Sequence, residues 1–213
     1  MENVKLVIFD WDGTIVDSMP AHIDAYLKAL AKFGVKAKEQ DILDLVGTPT
    51  ELLAETVAEN YGVKASGKKI AEQKIKNYLE FSKNKNLVFD GAVDTLHALK
   101  QKYRLALLSG STRKQLGNYR EILSLFEHTV AGKEASAPKP NPDALIDIVD
   151  KLDFLPSECV YIGDFWQDMM AAEQAGLWAI GIRNKYVSDE ELTDAGADVI
   201  INNINELLTT GLL

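Results

Sequence analysis

The chain has one cysteine in 213 residues, so an internal disulfide is excluded and a reducing compartment is expected. That residue, Cys159, opens the apolar segment Val160-Tyr161-Ile162 and reads as a core residue. No apolar run approaches the length needed to cross a bilayer, so no membrane partner is expected. Met1 to Lys5 show no signal-peptide pattern, and the first apolar run stops at Asp10, so a cytoplasmic location is expected. Positive charge is scarce: 23 Lys and Arg stand against 32 Asp and Glu, a net charge of −9. That balance argues against a nucleic-acid partner, which calls for a basic face. It leaves room for an anionic substrate, because a metal ion and one or two lysines can reverse the sign inside a pocket. Repeats and low-complexity tracts are also missing. What remains is an ordinary composition, 46% hydrophobic and 26% charged, enough to bury one sizeable core with or without a smaller insert.

Short apolar segments read as buried strands: Leu6 to Phe9, where Val7 to Phe9 are β-branched or aromatic, Leu105 to Leu108, Val160 to Ile162 and Trp178 to Ile182. Thr129 to Ala131 and Asp198 to Ile201 are weaker examples. Helical patterns separate them. Val93, Leu96 and Leu99 recur at helical spacing after Gly91, and Pro142 suits the first turn of a helix carrying Leu145, Ile148, Val149 and Leu152. Gly176 stands where the helix through Met169 and Ala172 would be capped. Alternation of this kind implies an α/β fold, a doubly wound parallel sheet with helices on both faces.

The stretch 18–86 breaks the alternation. It holds no convincing strand but four amphipathic stripes, around Ile23 to Leu30, Ile42 to Val46, Leu52 to Val57 and Ile70 to Phe81. We expect a helical domain over 18–86, inserted into a core domain made of 1–17 and 87–213.

Four polar clusters follow the predicted strands. They are Asp10-Trp11-Asp12-Gly13-Thr14, Ser109-Gly110-Ser111-Thr112, Pro138-Lys139-Pro140 and Gly163-Asp164-Phe165-Trp166-Gln167-Asp168. In a parallel sheet all four lie along one edge, where open α/β sheets bind their ligands. The chemistry can be assembled from these parts. Asp10, at a strand end, is a competent nucleophile toward phosphorus once a cation and a lysine neutralise the group it attacks. Asp12, two residues on, can serve as general acid and then general base. Gly13 permits a tight turn, and Thr14 is expected to hold Asp12 through its hydroxyl. Ser109 with the backbone N–H groups after it, from Gly110 on, forms an anion cradle. Lys139 supplies a compact positive charge, and Asp164 offers an oxygen ligand suited to Mg²⁺. Taken singly, a D-x-D pair, a strand-end serine and a surface lysine are common; the ordered set is distinctive.

That ordered set resembles the haloacid dehalogenase superfamily of phosphohydrolases. It is most similar to the branch with a helical cap after the first strand, which includes phosphoglycolate phosphatase and β-phosphoglucomutase. The resemblance implies that Asp10 becomes an aspartyl-phosphate and that Asp12 is the acid/base and offers its carbonyl to Mg²⁺. It also implies that Ser109, Gly110 and Lys139 bind the phosphoryl group, that Asp164 ligates Mg²⁺, and that Asp168 supports the metal or orients Lys139. The metal set is then Asp10, Asp12, Asp164 and Asp168. Because an Asp stands at position 12, phosphate-ester or anhydride cleavage is expected, with a small phosphorylated metabolite as substrate. A phosphosugar mutase is the alternative enzyme, although Gly47-Thr48-Pro49-Thr50 lacks the arginine such mutases use for a second phosphate. A phospho-acceptor signalling module is the non-enzyme alternative. In the cap, Gly47 and Thr48 occupy the position of a substrate-specificity loop. His22 matches a residue that gates Asp12 in the mutases, or packs on its helix. Arg113 either reaches a substrate carboxylate or lies on the surface. The cap is expected to close over the sheet edge through hinges near 17–20 and 86–91.

Overall fold

A computed structural model describes every residue except 2 and 84. The chain divides into two compact units, one of Met1–Asp17 with Val88–Leu213, the other of Ser18–Leu87.

The larger unit is built on six strands: β1 (Leu6–Phe9), β2 (Arg104–Ser109), β3 (His128–Ala131), β4 (Cys159–Gly163), β5 (Trp178–Ile182) and β6 (Val199–Ile201). They form one sheet in the order β3-β2-β1-β4-β5-β6, with every pairing parallel. This is the doubly wound architecture that the alternating pattern implies, and all six expected strands are present. Parallel strands covered on both faces must be apolar throughout. β1 meets this condition with Leu6, Val7, Ile8 and Phe9 all fully buried. The strand order reverses beside β1, which pairs β2 on one side and β4 on the other. A crevice at the carboxyl ends of the strands is expected at this switch point. One face of the sheet packs Leu6, Ile8 and Tyr161 against Leu145, Ile148 and Met169. Cys159 lies in the same core as a free thiol, with burial pushing its pKa up to about 12. Among the described residues no helix is long and apolar enough to cross a membrane.

The smaller unit contains α1 (Met19–Lys32), α2 (Glu39–Leu43), α3 (Thr50–Asn60) and α4 (Gly67–Ser82), and no strand among its described residues. α1 buries Ala21, Ala25 and Ile23, and Tyr78 from α4 packs on the two alanines. The helices of the larger unit follow: α5 (Ala92–Lys100), α6 (Arg113–Leu116), α7 (Arg120–Leu123), α8 (Asp143–Leu152), α9 (Trp166–Ala175) and α10 (Asp189–Asp194). α8 begins one residue later than the proline suggests, with Pro142 as its N-cap. Gly176 caps α9 in the left-handed region, as expected of a helix-terminating glycine.

Candidate active site

β1 delivers Asp10 to the edge of the sheet, where its backbone N–H continues the ladder to the carbonyl of Ile162 at 2.8 Å. The chain then turns tightly: Ile15 and Val16 donate to the Trp11 carbonyl, and Gly13 donates to Val16. Trp11 is buried behind this turn, edge-on to Tyr119 at 5.1 Å between ring centroids. Gly13 adopts φ +85°, and a Cβ there would lie 2.0 Å from Asp164 Oδ2. Both facts demand glycine: the left-handed region is costly for other residues, and the carboxylate fills the space a side chain would take. Gly13→Ala should therefore lower stability by at least about 2 kcal/mol. A thermal melt would show a drop of about 4–8 °C for a chain of this size.

Asp10, Asp164 and Asp168 are all buried, and each offers a carboxylate oxygen within 4.8 Å of those of the other two. Lys139 joins them. Its Nζ donates to Asp10 Oδ1 at 2.7 Å and to Asp168 Oδ1 at 2.5 Å, and meets the Tyr161 hydroxyl at 3.0 Å. Burial raises the Asp10 carboxyl from its ordinary 3.8 to about 7; Lys139 works against the rise, and Asp168 and Asp12 add to it. Burial and the same crowd of acids hold Asp164 well above its usual range. Burial disfavours the Lys139 charge, but Asp10 and Asp168 outweigh it and hold the ammonium well above the ordinary lysine value.

The acids differ in what they have left to offer. Asp168 is fully engaged: besides Lys139 and the Tyr161 hydroxyl, it accepts the backbone N–H groups of Asp164 and Phe165. The last of these closes the first turn of α9. Gly163 makes the approach possible, since a Cβ there would lie 2.4 Å from Asp168 Cβ. Asp164 is under-satisfied. Its Oδ1 is buried and has no hydrogen-bond partner, while Asn184 Nδ2 donates to its carbonyl at 2.5 Å and lies 3.3 Å from Oδ2. A buried carboxylate oxygen without a donor is expensive unless a cation meets it. Asp10 keeps Oδ2 outside its pair with Lys139. The donor set is all oxygen, which suits a hard divalent cation.

Ser109 ends β2 and is buried, and its Oγ accepts the Ser111 N–H at 2.9 Å. Gly110 is exposed, with open space where a Cβ would be. Asp12 differs from expectation in its restraint. Thr14 Oγ1 is buried without a partner, and the hydroxyl on Asp12 comes from Ser111 instead, which donates to Oδ2 at 2.7 Å. The tight turn aims Thr14 elsewhere. Arg113 is also otherwise engaged: its guanidinium forms a two-pronged pair with Glu134, and Nη2 donates to the Thr129 carbonyl. Those contacts tie it to β3 and the residues just after it.

The remaining candidates belong to the smaller unit. His22 is buried in α1, stacked on Tyr78 at 4.3 Å, with Nδ1 2.8 Å from Lys74 Nζ. Gly47 is exposed at φ +89°, and the Thr48 N–H donates to the Leu45 carbonyl. Two contributors to the larger unit's cluster, Tyr161 and Asn184, escape motif reading, and a third, Ser111, stands in a motif without a role of its own. Tyr161 reads as core, because only the pairing of β4 reveals that its hydroxyl reaches Lys139. Ser111 hides behind Ser109. Asn184 closely follows β5, so the rule that points to the other strand ends points to it as well.

A family model described as haloacid dehalogenase-like hydrolase matches residues 7–182. The chain belongs to the haloacid dehalogenase-like hydrolases. A phosphoglycolate phosphatase of Haemophilus influenzae (strain 86-028NP) is 30% identical, over 96% of this chain and 97% of its own length. One from Mannheimia succiniciproducens is 27% identical, with 96% of each covered. These full-length matches place the chain among the phosphatases of the family. Solved structures share the fold. A predicted phosphoglycolate phosphatase from Haemophilus somnus 129pt superposes with a TM-score of 0.85 at 24% identity, covering 99% of both chains. A β-phosphoglucomutase from Clostridium difficile superposes with a TM-score of 0.82 at 22% identity, covering 96% of this chain and 93% of its own.

Proposed function

We propose that this haloacid dehalogenase-like phosphatase hydrolyses a small phosphomonoester through a covalent phosphate on Asp10, with Mg²⁺ as cofactor. One observation carries the reading: Lys139 bridges Asp10 and Asp168 inside a buried cluster of acids at the switch point of the sheet. Such a cluster is costly in isolation and useful to a dianionic phosphoryl group that arrives with a divalent cation.

An Asp10 oxygen attacks phosphorus, and the ester P–O bond breaks. The departing oxygen takes a proton from Asp12. Asp12 then takes a proton from water as that water attacks phosphorus, which releases phosphate and restores the Asp10 carboxylate. Lys139 and the Ser109 hydroxyl hold the phosphoryl oxygens, with the Gly110 N–H alongside. Asp168 aims Lys139, because its other donors fix it in place. Asp10 and Asp164 would hold the Mg²⁺, with the Asp12 carbonyl as a further ligand; the ion supplies positive charge to the phosphoryl oxygens. The unpartnered Asp164 Oδ1 supports that placement.

2-Phosphoglycolate is the first candidate substrate, on the strength of the full-length relatives. A cytoplasmic location suits both a metabolite phosphate and a chain whose one cysteine is a free thiol. Phosphate release from a panel of phosphorylated metabolites, with Mg²⁺ and with chelator, tests the reading. Turnover of 2-phosphoglycolate above the sugar phosphates is expected. A hexose 1-phosphate returned as its isomer with little free phosphate would indicate the mutase instead.

The raised Asp10 value sets a pH-dependent prediction. A carboxyl whose folded value exceeds its unfolded one stabilises the fold below the ordinary Asp range, and that contribution is lost as pH rises through about 7. Mg²⁺ should relieve the loss. At 10 to 100 times its dissociation constant it adds about 1.4–2.7 kcal/mol, or about 3–10 °C in melting temperature. The shift should be larger at pH 8 than at pH 5, where protons compete for the same oxygens.

A further inference from the structure

We propose that Ser111 is a positioning residue for Asp12, holding one carboxylate oxygen so that the other carries the proton. The inference rests on the reading of Asp12 as acid and base. Asp12 sits past the end of β1 on the Trp11–Val16 turn, and the hydroxyl expected to steady it, on Thr14, has no hydrogen-bond partner. Ser111 fills that role from another strand end. Its Oγ donates to Asp12 Oδ2 at 2.7 Å, across 99 residues of sequence.

Ser111 is itself held rigidly. It is buried, and its N–H donates to Ser109 Oγ at 2.9 Å. The next residue, Thr112, caps α6: its N–H and hydroxyl both donate to Gln115 Oε1, at 3.0 and 2.8 Å. Gly132 packs so closely that a Cβ there would stand 3.3 Å from the Thr112 Cα. The backbone that carries this hydroxyl is therefore restrained on both sides. The same short segment also carries the Ser109 hydroxyl that faces the phosphoryl group in the proposed function. Ser109 accepts from Ser111 and keeps its own proton for a phosphoryl oxygen, while Ser111 gives its proton to Asp12. One rigid turn thus registers the acid against the phosphorus it serves. A carboxylate that must reach a leaving oxygen and then a water gains from such an anchor, because small misplacements of reacting groups cost rate steeply.

The test uses two substrates that deliver the same phosphoryl group to the same nucleophile. The best alkyl phosphate from the panel needs its leaving oxygen protonated; p-nitrophenyl phosphate does not. kcat/KM is measured for the parent, Ser111→Ala, Ser111→Thr and Asp12→Asn. Ser111→Ala should lose about 10-fold on the alkyl phosphate and less than about 2-fold on p-nitrophenyl phosphate. Its melting temperature should be unchanged, and Ser111→Thr should restore most of the loss. Equal losses on both substrates, or none, would overturn the role of Ser111. If Asp12→Asn depends on the leaving group and Ser111→Ala does not, only the positioning role fails. If Asp12→Asn affects both substrates equally, the acid assignment fails and the positioning role with it.

Discussion

Asp10→Asn should lower phosphate release by about 10⁴-fold or more, the scale on which losing a covalent nucleophile is felt. The amide keeps the size of the carboxylate and loses its nucleophilic charge. The fold should survive, and for a physical reason. Asp10 is buried, and its carboxyl is already driven up to about 7 by that burial, so a neutral side chain suits the site in the absence of metal. Stability at pH 8 should match or exceed that of the parent, while Mg²⁺ should raise the melting temperature less. Loss of activity with gain in stability is the expected signature of a residue kept for chemistry at the expense of the fold. An inactive variant that is also unfolded would instead make Asp10 a structural residue.

Lys139→Met should have the second large effect, and in the opposite direction for stability. Lys139 is the one cation within hydrogen-bond reach of both Asp10 and Asp168 among the described residues. Removing one member of a buried ion pair leaves the others uncompensated, at about 3–5 kcal/mol. A chain of this size should melt on the order of 10 °C lower at pH 8. The loss should shrink toward pH 5. Lys139 is what opposes the rise of the Asp10 carboxyl, so without it that group takes up its proton at still higher pH and sheds the unpaired charge. Turnover should fall about 10³-fold, as for loss of a group that meets developing charge on the phosphoryl oxygens. Melting curves across pH, with phosphate release at pH 7.5, check both parts.

The sheet is legible in the sequence because fully buried parallel strands carry a strong signal. Leu6 to Phe9 and Val160 to Ile162 carry no charge, the first ending directly on Asp10 and the second one glycine short of Asp164. Strand ends are points on a line, so aligning them also aligns Asp10, Ser109 and Asp164. Side-chain direction is not legible in that way. Thr14 looks like the natural restraint on Asp12, yet the turn through Gly13 sends its hydroxyl elsewhere, and Ser111 arrives from β2. Tyr161 is indistinguishable from a core aromatic until α9 and Lys139 converge on its hydroxyl. Arg113 reads as a substrate-carboxylate ligand or as a surface residue, and its pair with Glu134 forms where β3 runs beside β2. Each of these depends on a rotamer or on a neighbour distant in sequence, and no local spacing encodes either.

The most direct test is a rapid acid quench of a single turnover with enzyme in excess over 2-phosphoglycolate and Mg²⁺. Borohydride reduction then converts any acyl phosphate to the alcohol, and peptide mass mapping locates it. Homoserine at position 10, appearing and then decaying as phosphate is released, is the expected result. Complete release of phosphate with Asp10 unmodified at every time point would contradict the covalent role of that carboxylate.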